Sequence, residues 1–353
     1  MRARSVDIPR VLHVGAGAFA ELASLLSADF DTNRVAVGGG RGPSGEYARR
    51  ALEGLRVAGI DAVPQLDLEG RLGQAASMAA EVIAEDVTLM VAVGGGRVID
   101  TVKLAAARTG TPFISVPTAI SHDGLSSPVA SLIGQDGRRR SYGATMPAGI
   151  VVDLEIISSA PQRMVRAGAG DLASNLTAIR DWQLAEKRGR GRCDAFAAMI
   201  AESAAKPVLD LTDLEGPETH EVLAKGLLLS GLAMAAAGTS RPCSGAEHLI
   251  SHSLDRILAS PALHGEQVAL GTLFSAAAHD ESLHLALHRT FDEIGLPTSP
   301  HDLGISPEEM LVAIRRAPET RPERMTILDE LDEQAIEAVY ERAFAPASQI
   351  AAT

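Results

Sequence analysis

The segment TLMVAV at 88–93 is apolar from end to end, runs straight into Gly94-Gly95-Gly96, and continues as RVIDTVKLAAA, whose apolar residues recur at helical spacing. An apolar run of this length, ended by glycines and followed by an amphipathic helix, marks a strand buried on both faces. A parallel sheet covered by helices on either side provides that environment. The same alternation extends in both directions. VLHVG at 11–15, RVAVGGG at 34–40, Ile60 to Pro64, PFISVPT at 112–118 and GIVVDLEII at 149–157 read as strands, and Ser44 to Leu55 and Leu72 to Ala84 as helices. VASLIGQDGRRRSYGA, with a Gly and Asp turn between alternating flanks, reads as a β-hairpin.

From about Pro161 the periodicity is helical almost throughout, broken at Gly216-Pro217, Gly238 to Pro242, Pro261, and Pro297 to Pro300. With 353 residues there is chain for two cores. The expected fold is an α/β N-terminal nucleotide-binding domain with a parallel sheet, residues 1–160, followed by an all-α C-terminal domain, residues 161–353.

A formal charge of -13 repels phosphate backbones, and an aromatic content of 3% leaves few faces on which bases could stack, so nucleic acid is excluded as a partner. The same charge slows anionic substrates unless positive groups are gathered locally. Cys193 and Cys243 are too few for a disulfide framework and read as free thiols of a reducing compartment. The N-terminal MRARSVDIPR lacks an apolar core, and no apolar run approaches the ~20 residues that span a bilayer. These features predict a cytoplasmic protein with no membrane partner. RGRGR at 188–192 reads as a solvated helix end.

Glycines between a strand and a helix let the backbone approach a ligand, and the helix N-terminus adds N–H groups and a positive dipole end, so Gly94 to Gly96 are expected to hold a pyrophosphate. The pattern is neither GxGxxG nor GxxxxGK[ST], which disfavours the ordinary Rossmann fingerprint and the P-loop. Asp100 and Lys103, on the first turns of that helix, are expected to be structural. After RVAVGGG stands Arg41, where an NAD-specific site would carry an acidic residue to grip the ribose, so both NAD and NADP are expected to be accepted.

Three polar clusters stand out in the helical part. In GAGDLASN, 168–175, Asp171 reads as opening a helix just past a Gly pair; in SGAEHLISHSLD, 244–255, His248 and His252 are four apart and share a helix face; in LHGEQVALGT, 263–272, His264 precedes Gly265. One carboxylate and two imidazoles, with room for substrate oxygens, suit a three-ligand catalytic zinc site. Spacing does not choose between His248 with His264 and His248 with His252. His279, His284 and His288 form a further run read as packing. If the substrate carries a phosphate, Arg139, Arg140, Lys206, Lys225 and Arg241 are the candidate partners.

GGGRVIDTVK, PTAISHDGLSSPVAS, GAGDLASN, GTSRPCSGAEHLISHSLD and HGEQVALGT, in this order, resemble the sn-glycerol-1-phosphate dehydrogenase family, part of the dehydroquinate synthase and iron-containing alcohol dehydrogenase superfamily. The likeness runs from about residue 10 to residue 275, and the segment SRPxSGxEHxxSH is its most specific part. It implies a dehydroquinate synthase-like fold, a homo-oligomer, and zinc held by Asp171, His248 and His264. It further implies that His252, Asp123 and the second carboxylate oxygen of Asp171 contact a small phosphorylated substrate, with Asp123 and His252 as catalytic groups. Gly94, Gly95, Gly96, Arg97 and Val98 would bind the cofactor pyrophosphate, and Thr118, Ala119, Ile120, Ser121 and Ser127 would surround the nicotinamide. In the iron-dependent alcohol dehydrogenases a His follows the Asp by four residues; here that position is Asn175.

The resemblance thus implies an oxidoreductase that interconverts sn-glycerol 1-phosphate and dihydroxyacetone phosphate with NAD or NADP. A dehydrogenase of glycerol or another small hydroxy compound on the same fold is the alternative. A dehydroquinate synthase-like cyclase would use a Glu where Asp171 stands and extra Lys residues beside it, and DLASN has neither. A silent NAD-binding scaffold would not be expected to keep every ligand.

Overall fold

The computed structural model describes Val6 and residues 8–345. In chain order its elements are β1 (Val11–Gly15), α1 (Leu22–Asp29), β2 (Val35–Gly39), α2 (Pro43–Val57), β3 (Ala62–Gln65), α3 (Leu72–Ala84), β4 (Leu89–Gly94), α4 (Gly96–Thr109), β5 (Phe113–Pro117), β6 (Val129–Ile133), β7 (Arg139–Gly143) and β8 (Gly149–Asp153). Then come the helices α5 (Leu154–Ser159), α6 (Gln162–Ala173), α7 (Asn175–Lys187), α8 (Ala195–Ala205), α9 (Pro217–Ala237), α10 (Ala246–Ile257), α11 (His264–His279), α12 (Glu281–Glu293), α13 (Pro307–Arg316) and α14 (Glu333–Ala343), with short 3-10 turns between some of them. Two compact units result: Met1–Gln162 with Gly216–Ala235, and Arg163–Glu215 with Ala236–Thr353. A boundary near residue 160 describes where strands give way to helices; the segment Gly216–Ala235 groups with the first unit all the same.

The first unit is built on a six-stranded sheet in the order β1-β8-β5-β4-β2-β3, every pair parallel. Val35 and Val37 of β2, Leu89, Val91 and Val93 of β4, and Ile114 and Val116 of β5 are buried on one face in a cluster with Leu52 and Leu55 of α2, and Ala36, Met90 and Ala92 on the other face are buried as well, which is why these strands are apolar without alternation. β6 and β7 form the expected antiparallel hairpin. β2 lies between β3, which follows it, and β4, which crosses back, so the strand order reverses between β2 and β4. In that pair Gly38 is opposite Ala92 and Gly39 opposite Val93, which sets the glycines at 38–40 and 94–96 side by side at the carboxyl ends of neighbouring strands. Parallel sheets open a ligand crevice at such a reversal.

Two expectations need correction. GIVVDLEII is a strand only as far as Asp153, whose side chain accepts from the Glu155 N–H and so caps α5 over the second half of the run. The second concerns α9, which is 21 residues with a mean hydropathy of 1.2, long and apolar enough by length and composition to cross a membrane. Glu218, Glu221 and Lys225 hide this from a search for unbroken apolar runs. It is a core helix of the first unit, just over half buried, with the Leu227 carbonyl accepting from Ser126 Oγ at 2.9 Å and His220 Nδ1 at 3.0 Å from Ser158 Oγ.

The second unit is helical. Leu249, Ile250 and Leu254 of α10, spaced along one face, pack with Leu270 and Phe274 of α11, Met310 and Ile314 of α13, and Ile336 and Val339 of α14. The parallel-sheet unit and the helical unit together give the α/β plus all-α class expected.

Candidate metal centre and cofactor turn

In the first unit Gly95 caps α4 and Gly96 is its first residue. None of Gly94, Gly95 and Gly96 has a left-handed φ, so at Gly94, where a Cβ would meet Val98, and at Gly96 it is space rather than backbone freedom that requires glycine. A Cβ on Gly96 would run into the ring of His122, whereas one on Gly95 would meet nothing within 4 Å among the described residues. The turn is therefore open beside Gly95, at a helix N-terminus whose first N–H groups lack intrahelical acceptors. His122, missed from the sequence although it lies within SHDG, has Nδ1 accepting from the Gly124 N–H at 2.9 Å, which turns its other edge toward Gly96.

The loop after β5 carries Thr118, Ala119, Ile120, Ser121, Asp123 and Ser127, and two devices hold it to the glycine turn. The Thr118 N–H donates to the Gly94 carbonyl at 3.1 Å. Lys103, fully buried, donates from Nζ to Asp100 Oδ1 at 3.1 Å, to the Gly124 carbonyl at 2.7 Å and to the Val129 carbonyl at 2.8 Å, while Asp100 Oδ2 accepts from the Ser131 N–H at 2.9 Å. The structural role expected of this pair is thus to peg the loop. The Asp123 carbonyl accepts from the Ser126 and Ser127 N–H groups, which closes a 3-10 turn. Arg41, exposed, lies 3.4 Å from Asp67 and 2.9 Å from Glu69.

In the second unit Asp171 does not open a helix. α6 runs on through the Gly pair, and Asp171 sits in its last turn. The glycines are explained by a neighbour: a Cβ on Gly170 would come within 2.5 Å of the Gly265 carbonyl oxygen, and one on Gly265 would collide with the Ala167 carbonyl. The backbones of α6 and α11 abut there. That contact brings Asp171, next to Gly170, toward His264, the first residue of α11. His248 arrives from the first turn of α10.

One ligand atom from each of Asp171, His248 and His264 lies within 4.8 Å of the others. Asp171 Oδ1 is 3.6 Å from both His248 Nε2 and His264 Nε2, too long for a good hydrogen bond. Two atoms bound to one tetrahedral zinc at ~2.0–2.1 Å stand roughly 3.4 Å apart, so the spacing suits a shared ion. The far edges of both rings are held: His248 Nδ1 is 3.1 Å from Glu247 Oε1, and His264 Nδ1 is 3.1 Å from Ser251 Oγ. Glu247, fully buried, also accepts from the Gly245 N–H and, at 3.2 Å, from Thr177 Oγ1. The contact of Nδ1 with Glu247 fixes the orientation of the His248 ring and leaves Nε2 facing Asp171.

Burial pushes the His248 pKa down, but the Asp171 and Glu247 carboxylates outweigh it and hold the imidazolium up to about 9. Two buried carboxylates around one ring call for positive charge at this point. A metal ion would supply that charge in place of the proton. The donor set, the spacing and the oriented rings therefore fit a zinc ion.

His252, one turn beyond His248, has its ring centroid 6.4 Å from that of His248 and 6.2 Å from that of His264, nearly parallel to the latter. Burial, then the neighbouring His264 and His248, and after them Arg321 and Arg324, lower its pKa well below the ordinary histidine value. Asp181 supports the centre from behind. It accepts from the Ala246 N–H at 2.6 Å, capping α10, and from the Ile327 N–H at 2.6 Å, and meets His279 Nε2 at 2.8 Å.

His284 bonds the Ala343 carbonyl and His288 is buried, in keeping with packing. Cys193 and Cys243 are free thiols. RGRGR follows the end of α7, where Arg188 pairs with Glu330 at 2.6 Å. Of the candidate phosphate partners, Arg140 pairs with Asp136, Lys206 with Glu202 and Lys225 with Glu221, while Arg139 donates to the Ser131 carbonyl on the exposed hairpin. Arg241 donates to the Met325 carbonyl at 3.3 Å.

Residues 13–161 match the family model of iron-containing alcohol dehydrogenases. Over 338 residues the chain is 40% identical to a protein of Hyperthermus butylicus named glycerol-1-phosphate dehydrogenase, NAD(P)+, covering 92% of this chain and 93% of that one. Proteins with the same name from Pyrococcus abyssi, 42% identical over 74% of this chain and 75% of theirs, and from Methanosarcina barkeri, 36% over 92% of each, agree with it. Among solved structures, a glycerol dehydrogenase from Schizosaccharomyces pombe has a TM-score of 0.79 at 23% identity, covering 100% of this chain and 94% of that one. A probable glycerol dehydrogenase from Sinorhizobium meliloti 1021 has a TM-score of 0.76 at 23% identity, covering 97% and 99%. These two show the fold, which is the dehydroquinate synthase-like one expected.

Proposed function

The chain belongs to the glycerol-1-phosphate dehydrogenase family, and from that membership we propose that it interconverts sn-glycerol 1-phosphate and dihydroxyacetone phosphate, using NAD or NADP and a zinc ion. The observation that carries this is the convergence of Asp171, His248 and His264 in a chain whose relatives bear that name over nine-tenths of its length.

Asp171, His248 and His264 hold the zinc, and Glu247 and Ser251 keep the two rings turned toward it. When bound, the zinc supplies a Lewis acid for the carbonyl or alkoxide oxygen and the nicotinamide supplies or takes the hydride. Residues 1–160 are assigned the cofactor and residues 161–353 the metal. Gly94, Gly95, Gly96, Arg97 and Val98 cradle the pyrophosphate, and Thr118, Ala119, Ile120, Ser121 and Ser127 face the nicotinamide. The second oxygen of Asp171, with Asp123 and His252, orients the substrate. Reduction of a ketone also needs a proton at the new hydroxyl, and oxidation must remove one. His252 and Asp123 are the groups assigned to take up and return that proton. The protein is further assigned to the cytoplasm as a homo-oligomer, without nucleic-acid or membrane partners.

The test is to purify the full chain with zinc and follow the absorbance of NADH and NADPH with dihydroxyacetone phosphate, dihydroxyacetone and a heptulosonate phosphate. Oxidation with the first alone is expected. Turnover confined to dihydroxyacetone would remove the phosphate from the substrate, and phosphate release from the heptulosonate without net NADH change would make the protein a cyclase.

A further inference from the structure

One buried carboxylate outside the donor set joins both helices that carry the histidine donors. Asp181, in the middle of α7, is 1% exposed, and its two oxygens have separate duties. Oδ2 accepts at 2.6 Å from the N–H of Ala246, the first residue of α10, two residues before His248. Oδ1 accepts from the Ile327 N–H at 2.6 Å and meets, at 2.8 Å, Nε2 of His279, the last residue of α11. Space is kept for this carboxylate in the sequence, since a Cβ on Gly245 would run into Asp181 Oδ2. One turn earlier on the same face of α7, Thr177 Oγ1 donates to Glu247 Oε2 at 3.2 Å, and Glu247 holds His248 Nδ1.

α11 begins with His264 and ends with His279, a helix of 16 residues and roughly 22 Å. Near its middle it lies against α10 backbone to backbone: a Cβ on Gly271 would come within 2.6 Å of the Glu247 carbonyl oxygen and 2.7 Å of the Glu247 Cα. Contact at a glycine sets how closely two helices approach. It does not set the position of one along the other, which falls to directional contacts. At the metal end of α11 these are Ser251 Oγ with His264 Nδ1 at 3.1 Å and Gln267 Nε2 donating to Asp255 Oδ1 at 3.0 Å. At the far end Asp181 holds the first N–H of α10 and the last side chain of α11 at once. The distance between His248 and His264 depends on the offset of these two helices, so a carboxylate that fixes the offset also fixes the spacing of the donors.

We infer that Asp181 and His279 are positioning residues of the metal centre, which set α11 along α10 and thereby hold His264 at the separation from His248 that one ion requires. The inference rests on the proposed zinc site and is independent of which substrate the protein turns over. Each Asp181 oxygen accepts a backbone N–H, so Asp181→Asn must turn its amide N–H2 toward either Ala246 or Ile327 and loses one of the two. His279→Gln keeps an amide that can donate or accept toward Asp181, whereas His279→Ala keeps nothing there.

Full-length wild type, Asp181→Asn, His279→Ala and His279→Gln are compared for zinc affinity by competition with a chelator and for melting temperature with and without zinc. The visible absorption of the cobalt(II)-loaded proteins reports the geometry around the ion. Asp181→Asn and His279→Ala are expected to weaken zinc binding about 10- to 100-fold and to shift the cobalt absorption, and His279→Gln to recover most of both. A purely structural role would lower the melting temperature equally with and without zinc and leave zinc affinity and cobalt absorption unchanged. That result in Asp181→Asn or His279→Ala overturns the inference and leaves the metal site standing. A loss in His279→Gln as large as in His279→Ala also overturns it, by tracing the effect to ring packing instead of the hydrogen bond. Should Asp181→Asn fail to fold, the two His279 variants decide alone. A wild type that binds zinc no better than His248→Ala removes the metal site itself, and the inference with it.

Discussion

The proposed cofactor turn and the candidate metal centre are made from different materials. The turn is backbone: glycines at the ends of β2 and β4, the first N–H groups of α4, and a loop pegged by Lys103. The centre is side chain: three donors from three helices, each ring held at its far edge by a second residue. A backbone site tolerates changes in side chains and fails when something fills its space. A side-chain site fails when one donor is removed, and it depends on whatever brings its helices together.

The largest effect is expected from His248→Ala, which should lose bound zinc and at least about a thousandfold in kcat together, measured by metal analysis and NADH oxidation. Full activity in a metal-free His248→Ala protein would sink the assignment. Next come two glycines that look alike in sequence. Gly265→Ala sets a methyl against the Ala167 backbone, which cannot swing away, and should cost about 1–3 kcal/mol of stability along with zinc affinity. Gly96→Ala meets the His122 ring first, a side chain that can give way, so its melting temperature should fall much less while KM for the cofactor rises. Equal losses of stability would break the contrast between the two regions.

Glu247→Gln keeps the shape of its side chain and should weaken zinc binding roughly 10- to 100-fold, read by competition with a chelator. The smallest effect concerns pH. Asp280 caps α12, and the Ser282 hydroxyl, the Leu283 N–H and Arg180 bring its pKa down to about 2. Its folded pKa is below the unfolded value, so its contribution is present above about pH 4 and is lost as the pH falls toward 2. Asp280→Ala should therefore lower the urea midpoint of unfolding at pH 7, by about 1 kcal/mol equivalent, and make no difference near pH 2.

The same contrast governs what could be read in the sequence. A buried parallel strand has no polar face, so TLMVAV and its glycines announce both the sheet and the turn. Donor residues announce themselves only as types. His248 and His252 share a helix face, and nothing local to α10 tells which one turns toward Asp171; the answer comes from how α6, α10 and α11 meet. Asp171 reads as the start of a helix because Gly168 and Gly170 resemble a break, whereas Gly170 leaves room for α11 to approach. Arg321 and Arg324 stand in a stretch without motif or periodicity, and Ser240, to whose Oγ both donate, is some 80 residues away, so only the fold could bring them together. The strand that ends at Asp153 was overrun for a simpler reason: an aspartate that caps the following helix is invisible to hydropathy.

α9 is an element of the parallel-sheet unit encoded in the middle of the helical half. During synthesis, then, the sheet emerges long before the helix that accepts Ser126 Oγ at Leu227. The first unit cannot finish closing until about residue 235 has left the ribosome, by which time α6 to α8 of the second unit are also exposed. Neither half can be cut out as a continuous piece, and a chain that stalls near residue 160 lacks the helix that completes its parallel-sheet unit.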